Sequence, residues 1–387
     1  MRPFRKTAAD TARPSPSFPM AEDARLLARR RMPRVAFDFI DGAAGWEDAA
    51  DLNQSELRKL RLTPRVLVDV EGTDLAKPFL GFDFGTPFGV APMGMCDLAW
   101  PGADRMLAAE AVRNRFPVGV STAASTSLEE MFKLSQGRAW FQLYVTGSVE
   151  AAMAFVDRAE KVGYEALILT VDVPKLGKRP RDLRNAFQTP FRMTPKKFLD
   201  FALHPSWSIS TLRAGPPQMA NYAGGPQAGG YVRNGSRGGA DWDFLKRLRD
   251  RWKGKLLIKG VMDPTDAVGI KEAGADAVWV SNHGGRQLDS APATISALPV
   301  IRAAVGPDYP LLLDGGVRSG EDVVKAIALG ADYVMLGRPF LYAIGADGAA
   351  GLTRFVDNLA FDVGTTLGQI GLKRIAQVDR SVLWPTS

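Results

Sequence analysis

The chain has 387 residues, 46% of them apolar, and a formal net charge of +7, which is ample material for a substantial globular core. Its single cysteine, Cys96, excludes an intramolecular disulfide and any cysteine-based zinc cluster. No apolar run approaches the roughly 18 residues needed to span a bilayer, and the mixed signs of charge along most of the chain argue against a nucleic-acid partner, which calls for a basic, aromatic-laced face.

Taken in chain order, Met1 to Met20 carries Arg2, Arg5, Lys6 and Arg13 but lacks the apolar core of a secretory signal. Its Arg, Ser and Pro content weakly resembles a transit peptide, and a disordered tail over 1–20 is the expectation. Residues 21–86 read as an N-terminal helical cap: a basic helix over Ala21–Arg31, then "FDFIDGAAGWEDA" and a Pro/Gly-rich approach to the first strand. From about residue 87 a short apolar run followed by an Ala-rich amphipathic stretch repeats eight times. The runs are Phe88–Pro92, Val118–Ser121, Trp140–Leu143, Ala166–Val171, Leu256–Lys259, Ala277–Ser281, Leu311–Asp314 and Tyr333–Leu336. Each is short and nearly all apolar, as in parallel strands covered on both faces. Asp104–Arg115, Ser148–Val162, Pro264–Ala273 and Gly320–Leu329 have helical spacing with Pro or Gly punctuation. "AGAD" (273–276) and "LGAD" (329–332) repeat one helix-to-strand turn. Eight βα units in series point to an α/β fold, a (β/α)8 TIM barrel forming a single domain over 21–387. An open doubly wound sheet shares that periodicity. A long insertion, 174–240, follows the fourth strand, and a loop of that length is functional or disordered.

In such a barrel chemistry gathers at the C-terminal ends of the strands. There the sequence places Ser121, Gln142 with Tyr144, Thr170 with Asp172, Lys259, Ser281 with Asn282 and His283, Asp314, and Gly337 with Arg338. His283, one of two histidines, stands in "VSNHGGRQLD", whose glycines let backbone approach a ligand. A carboxylate such as Asp172 can prepare an imidazole to take a proton near neutral pH. "LLLDGGVRSG" (311–320) and "MLGRPF" (335–340) each set glycine and exposed N–H groups between a strand and a helix, an anion site that recurs after strands seven and eight. No strand is followed by G-x-G-x-x-G, which disfavours a Rossmann nicotinamide site. No metal-ligand spacing occurs, so no metal is expected.

"SNHGGRQLD", "LDGGVRSG", "ALGADYVMLGRPF", "FQLYV" and "LTVDVPKLGKRPRDLRN" resemble the FMN-dependent 2-hydroxy-acid dehydrogenase and oxidase family over residues 25 to 375. The resemblance implies FMN as cofactor and a 2-hydroxy acid as substrate. His283 would then be the catalytic base, oriented by Asp172, with flavin N5 accepting two electrons. Arg179 and Arg286 would clamp the substrate carboxylate, a task suited to the guanidinium fork, and Tyr144 would bind the substrate. Lys259 would sit by flavin N1/O2. Pro92, Met93 and Gly94 would lie against the ring, and Ser121, Gln142, Thr170 and Ser281 would meet its edge. Asp314, Gly315, Gly316, Arg318, Gly337 and Arg338 would line the rest of the cofactor site and its phosphate. A homotetramer is implied too.

Two departures bear on the reading. Where the family carries a substrate-binding tyrosine this chain has Phe39, which removes a hydroxyl and favours a larger or aryl substrate over lactate or glycolate. Gly94 stands where family oxidases carry alanine and membrane-associated dehydrogenases carry glycine. It therefore favours electron transfer to a quinone or another carrier over an oxidase using O2 and producing H2O2. Between Lys175 and Arg237 there are 11 Lys/Arg against two acids. "FRMTPKKFLDFALHPSW" interleaves them with Phe, Leu and Trp, which suits either an anionic membrane surface or an active-site lid. The location expected is cytoplasmic, peripheral on the inner face of the membrane, and residues 223–239 are expected to be flexible. The rivals are another FMN barrel enzyme and a non-enzymatic, basic membrane-binding protein.

Overall fold

The structure is a computed structural model describing residues 18–222 and 237–385. Most of the expected tail and most of the glycine-rich 223–239 stretch thus lie outside the described residues. Three cap helices come first: α1 (Ala21–Arg31), α2 (Arg34–Asp41) and α3 (Asp48–Lys59). The repeat begins with β1 (Phe88–Met93), α4 (Ala103–Asn114), β2 (Val118–Ser121), α5 (Leu128–Leu134), β3 (Ala139–Leu143), α6 (Val149–Val162) and β4 (Ala166–Thr170). The insertion contributes α7 (Pro180–Arg184), α8 (Pro195–Leu203) and α9 (Pro205–Ala214). Then follow α10 (Trp242–Arg251), β5 (Lys255–Val261), α11 (Pro264–Glu272), β6 (Ala277–Val280), α12 (Thr294–Val305), β7 (Leu311–Leu313), α13 (Gly320–Ala328), β8 (Tyr333–Leu336) and α14 (Arg338–Gln369). The eight strands are all parallel and close in chain order, with β8 pairing β1. The (β/α)8 expectation holds and the open sheet does not.

Local chemistry explains the punctuation. Asp263 accepts the N–H groups of Thr265 and Asp266 just before Pro264 starts α11, and Ser319 with Asp322 forms a reciprocal capping box on α13. The twin "GAD" turns are one device used twice. Asp276 and Asp332 each accept the N–H of the neighbouring strand's first residues, Leu256 and Leu311, at 2.9 Å. Phe79, Phe84, Trp140, Trp279 and Tyr333 fill the N-terminal end of the barrel, each burial being worth roughly 1.5–3 kcal/mol. Because the strands are all parallel, the seven polar strand ends share the opposite mouth with the end of β1.

The most buried of the contacts between the cap and the insertion centres on one carboxylate. Asp41 accepts from Arg25 Nε and Arg181 Nη1, both at 2.6 Å, and from the Tyr342 hydroxyl at 2.8 Å. Burial opposes its ionisation, yet Arg25, Tyr342 and Arg181 hold it far below the usual carboxylate range. One buried charge thereby ties α1, α2, α7 and α14 together, and removing a partner from such a network costs about 3–5 kcal/mol. Farther along the insertion, Trp207 is buried and donates Nε1–H to the Leu98 carbonyl at 3.0 Å. The α8–α9 hairpin turns apolar side chains outward, with Phe198 66%, Leu203 69% and Leu212 82% exposed. Among the described residues no helix is long and apolar enough to cross a membrane.

Candidate active site

A cavity of about 870 Å³ opens where the strands end, within the range of sites that bury a cofactor-sized ligand. Pro92, Met93 and Gly94 leave β1 into its wall, Ser121 ends β2, and Tyr144 follows β3. Lys259, His283, Asp314 and Arg338 bring in the other half of the barrel, while Phe39 reaches in from α2 and Arg179 from the insertion. Gln142, Thr170, Ser281 and Asp172 are not among the lining residues, but the first, third and fourth are hydrogen-bonded to residues that are.

His283 adopts a left-handed backbone at φ +57°. Ser281 Oγ accepts its N–H at 3.1 Å, and its Nδ1 lies 3.0 Å from Asp172 Oδ1. An ionised carboxylate only accepts, so Nδ1 carries the proton and Nε2 keeps its lone pair. Burial pushes the imidazole below its ordinary 6.5, outweighing the upward pull of Asp172. Asp172 is itself opposed by burial, and His283 and Lys259 hold it below the usual carboxylate value. Room for this pair comes from Gly260, at a register shift in β5 with φ +103°: a Cβ there would lie 2.5 Å from Asp172 Cγ. Beside them Lys259 Nζ lies 2.9 Å from Asp314 Oδ2 and donates to Ser281 Oγ at 2.7 Å, while Ser281 donates to Asp314 Oδ1 at 2.6 Å. Lys259 is therefore a fixed, buried cation.

Positive charge converges on the other wall. Arg286 is pressed well below its ordinary basicity by burial and by the charges of Arg179 and Arg338, an arrangement that an incoming anion would relieve. The Arg286 guanidinium lies 5.4 Å from the Phe39 ring centroid, and Phe39 stacks on Phe187 at 4.4 Å and 13°. Phe39 thus offers a ring face where a hydroxyl would have offered a hydrogen bond. The Arg338 fork is spent on carbonyls of Ile40, Gly42 and Gly284 at 2.8–3.2 Å. It is no surface ion pair; it staples the cap to the mouth, and the start of α14 at Gly337–Arg338 is left to present backbone N–H groups.

The wall fits FMN. Gln142 Nε2 and Thr170 Oγ1 are buried with no hydrogen-bond partner, and such groups call for a polar ligand edge. Gly315 and Gly316 follow β7 with φ +101° and +83°, and a Cβ at Gly316 would lie 2.5 Å from the Asn53 carbonyl oxygen. The cradle is therefore shaped by α3 as well as by any phosphate. Arg318, half-buried in the same wall, donates to its neighbour's carbonyl at 2.9 Å.

Several lining residues were not singled out from the sequence: Asp182, Leu183, Phe187, Met219 and Arg237. All come from the insertion, where no periodicity marks which side chains turn inward. Nor was Asn53, which exchanges two side-chain hydrogen bonds with Asn282 at 2.8 and 2.9 Å. Asn282 thereby faces the cap rather than a ligand.

Comparison with known proteins agrees with this geometry. The sequence profile described as FMN-dependent dehydrogenase matches residues 28–385. (S)-Mandelate dehydrogenase of Pseudomonas putida is 37% identical over 367 residues, covering 94% of this chain and 93% of that protein. An L-lactate dehydrogenase of Pseudomonas syringae is 36% identical over 371 residues, covering 94% and 97%. Among solved structures, the monotopic membrane protein (S)-mandelate dehydrogenase matches with a TM-score of 0.90 at 37% identity, over 95% of this chain and all of that one. A mandelate oxidase structure matches with a TM-score of 0.80 at 32% identity, over 95% and 98%. Fold and relatives together define a flavin-dependent barrel oxidoreductase. The chain belongs to the FMN-dependent 2-hydroxy-acid dehydrogenase family: it uses FMN and acts on a 2-hydroxy acid.

Two histidines make the His283 environment directly measurable. With ¹³C-labelled histidine, and His204→Gln to assign the signals, the His283 resonance should titrate below 6.5. Asp172→Asn removes an upward influence and should move the midpoint lower still; a midpoint at or above 6.5, or an upward move, contradicts the geometry.

Proposed function

We propose that this chain oxidises an L-2-hydroxy acid to the 2-oxo acid with His283 as base, and passes the electrons to a quinone or another carrier. The observation that carries this is the Asp172–His283 pair, with its free Nε2, in a cavity that Arg179 and Arg286 also line. The two arginines take the substrate carboxylate and so orient the adjacent CH–OH unit, worth several kcal/mol in lost bimolecular entropy. Tyr144 hydrogen-bonds the substrate. His283 accepts a proton from the CH–OH unit, and Asp172 stabilises the resulting imidazolium, a contribution of roughly 10²–10⁴ in rate. Lys259, held by Asp314 and Ser281, supplies positive charge on the cofactor side. FMN, when bound, would supply the two-electron acceptor; Ser121, Gln142 and Thr170 would hold its ring and the 315–318 and 337–338 segments its phosphate.

The reading as a dehydrogenase rests on Gly94 and on the insertion. A Cβ at Gly94 would lie 3.1 Å from Ala123 Cβ and 3.3 Å from its carbonyl oxygen, so a methyl group there displaces the segment after β2. The outward apolar residues of α8 and α9, flanked by Arg192, Lys196 and Lys197, support peripheral docking on an anionic membrane, where a quinone would be at hand. The Phe39–Phe187 stack supports a substrate longer than lactate.

The purified protein should be yellow, and 2-hydroxy acids should bleach it under anaerobic conditions, with a quinone analogue restoring the colour faster than O2. Faster recovery with O2 favours the oxidase reading, and no bleaching by any 2-hydroxy acid refutes the proposal. For docking, the native protein should float with anionic vesicles and a Phe198→Ser, Leu203→Ser, Leu212→Ser variant should stay behind; a native protein that does not float contradicts the membrane assignment.

A further inference from the structure

The carboxylate that orients His283 uses only one of its oxygens. Asp172 Oδ1 meets the imidazole at 3.0 Å, while Oδ2 is buried with no hydrogen-bond partner among the described residues. Such a side chain can turn about its Cα–Cβ bond, so its aim depends on where its main chain stands. Val171 still pairs with β5, its N–H donating to the Lys259 carbonyl at 2.9 Å. One residue later the chain leaves the barrel, and there the Asp172 carbonyl accepts from the side-chain Nε2 of Gln287 at 3.2 Å.

Gln287 stands just past Arg286 in the turn that carries His283, and its amide works at both ends. Nε2 donates to the Asp172 carbonyl, and Oε1 accepts the Gly177 N–H at 3.0 Å. A carbonyl only accepts and a peptide N–H only donates, which fixes the end of the amide that faces each partner. The two segments lie against each other: a Cβ at Gly177 would come 2.5 Å from the Arg286 carbonyl oxygen and 2.8 Å from Gln287 Cα. Arg179 Nε lies 3.5 Å from that same carbonyl, and the Lys178 carbonyl accepts the Gly45 N–H of the cap at 3.0 Å. The segment carrying Arg179 therefore has a fastening of its own, whereas the Asp172 main chain is tied across to the His283 turn by Gln287. Gln287 is half-buried and is not among the residues lining the cavity.

We infer that Gln287 is a positioning residue for the oxidation: by tying the Asp172 main chain to the turn that carries His283, it sets the Nδ1–Oδ1 contact that leaves Nε2 free for the substrate proton. The inference rests on the role of His283 as base proposed above. The tolerance is narrow, since a displacement of about 1 Å away from the chemistry can lower a rate about 10²-fold. Burial and the charges of Lys259, from β5, and Arg179, from the insertion, lower the basicity of His283, and Asp172 opposes them. Loosening Asp172 therefore weakens the base and leaves its imidazolium less stabilised.

The test is a double-mutant cycle on the holoenzyme between Asp172→Asn and Gln287→Met, which keeps the side-chain length and loses both hydrogen bonds. Anaerobic stopped-flow reduction is followed with (S)-mandelate, or with L-lactate if that bleaches the native protein faster. Gln287→Met should slow reduction at saturation about ten-fold or more, part of the roughly 10²–10⁴ that general-base catalysis contributes. Apparent substrate affinity should change less than about three-fold, the mark of a lost transition-state interaction. In the Asp172→Asn background the same substitution should slow reduction no further. The ¹³C titration of His283, which needs no substrate, should move down in Gln287→Met toward the midpoint of Asp172→Asn. Gln287→Asn, one methylene shorter, can keep one of the two bonds and should fall between native and Gln287→Met in both readouts; it takes the place of Gln287→Met if that variant does not retain FMN. Losses that multiply, a loss confined to substrate affinity, or an unmoved His283 midpoint overturn the assignment; the second would mean that Gln287 serves the segment carrying Arg179. Slow Asp172→Asn with unimpaired Gln287→Met overturns the Gln287 assignment alone, whereas native-rate reduction of Asp172→Asn overturns the Asp172–His283 reading with it.

Discussion

The site depends on holding one imidazole in a backbone conformation that its residue type disfavours. His283 at φ +57° costs roughly 1–2 kcal/mol relative to an ordinary right-handed residue, and the surroundings over-determine it. Ser281 Oγ takes the His283 N–H, Asn282 Oδ1 takes the Gly285 N–H, and Asp172 holds the ring. Asn282 is itself locked by Asn53 of α3, whose Oδ1 also accepts the Thr294 N–H. The turn carrying the imidazole is therefore completed by the N-terminal cap, and the barrel alone would leave buried amide groups unmatched. The Arg338 fork, reaching from the start of α14 to the carbonyls of Ile40 and Gly42, fastens that cap from the other side.

A second constraint is charge. The mouth gathers arginines from the insertion, the turn after β6 and the start of α14, while most acids near it are already committed. Lys259 is the exception that proves balanced, since Asp314 and Ser281 bond it from two directions. Asp41 performs the matching task outside the cavity, joining cap, insertion and α14. The insertion therefore does two things at once. Arg179, Phe187 and Arg237 face the cavity, while Phe198, Leu203 and Leu212 face solvent.

Much of this was legible in the sequence, for physical reasons that differ along the chain. The strands were visible because a parallel strand buried on both faces must be short and apolar, and all eight predicted starts are observed within one residue. The strand-end residues followed from the geometry of the barrel, and His283, Asp172, Lys259 and Asp314 were indeed brought together. What stayed hidden was long-range or aperiodic. Asn53 meets Asn282 across 229 positions, and nothing local to either marks the pair. Arg237 lies in a glycine-rich stretch whose composition suggested only flexibility, yet it is among the buried residues of the cavity wall. Arg338 was expected at a phosphate; it lines the cavity, and its side chain also reaches the carbonyls of Ile40 and Gly42 in the cap, which nothing local to it signalled.

The central claim is that His283 Nε2 takes the substrate proton, and the most direct measurement is single-turnover reduction of FMN-loaded His283→Asn by a 2-hydroxy acid under anaerobic conditions. The account predicts a variant that keeps its flavin but is reduced about 10²–10⁴ times more slowly than the native protein. A variant that binds FMN and is reduced at close to the native rate would contradict it.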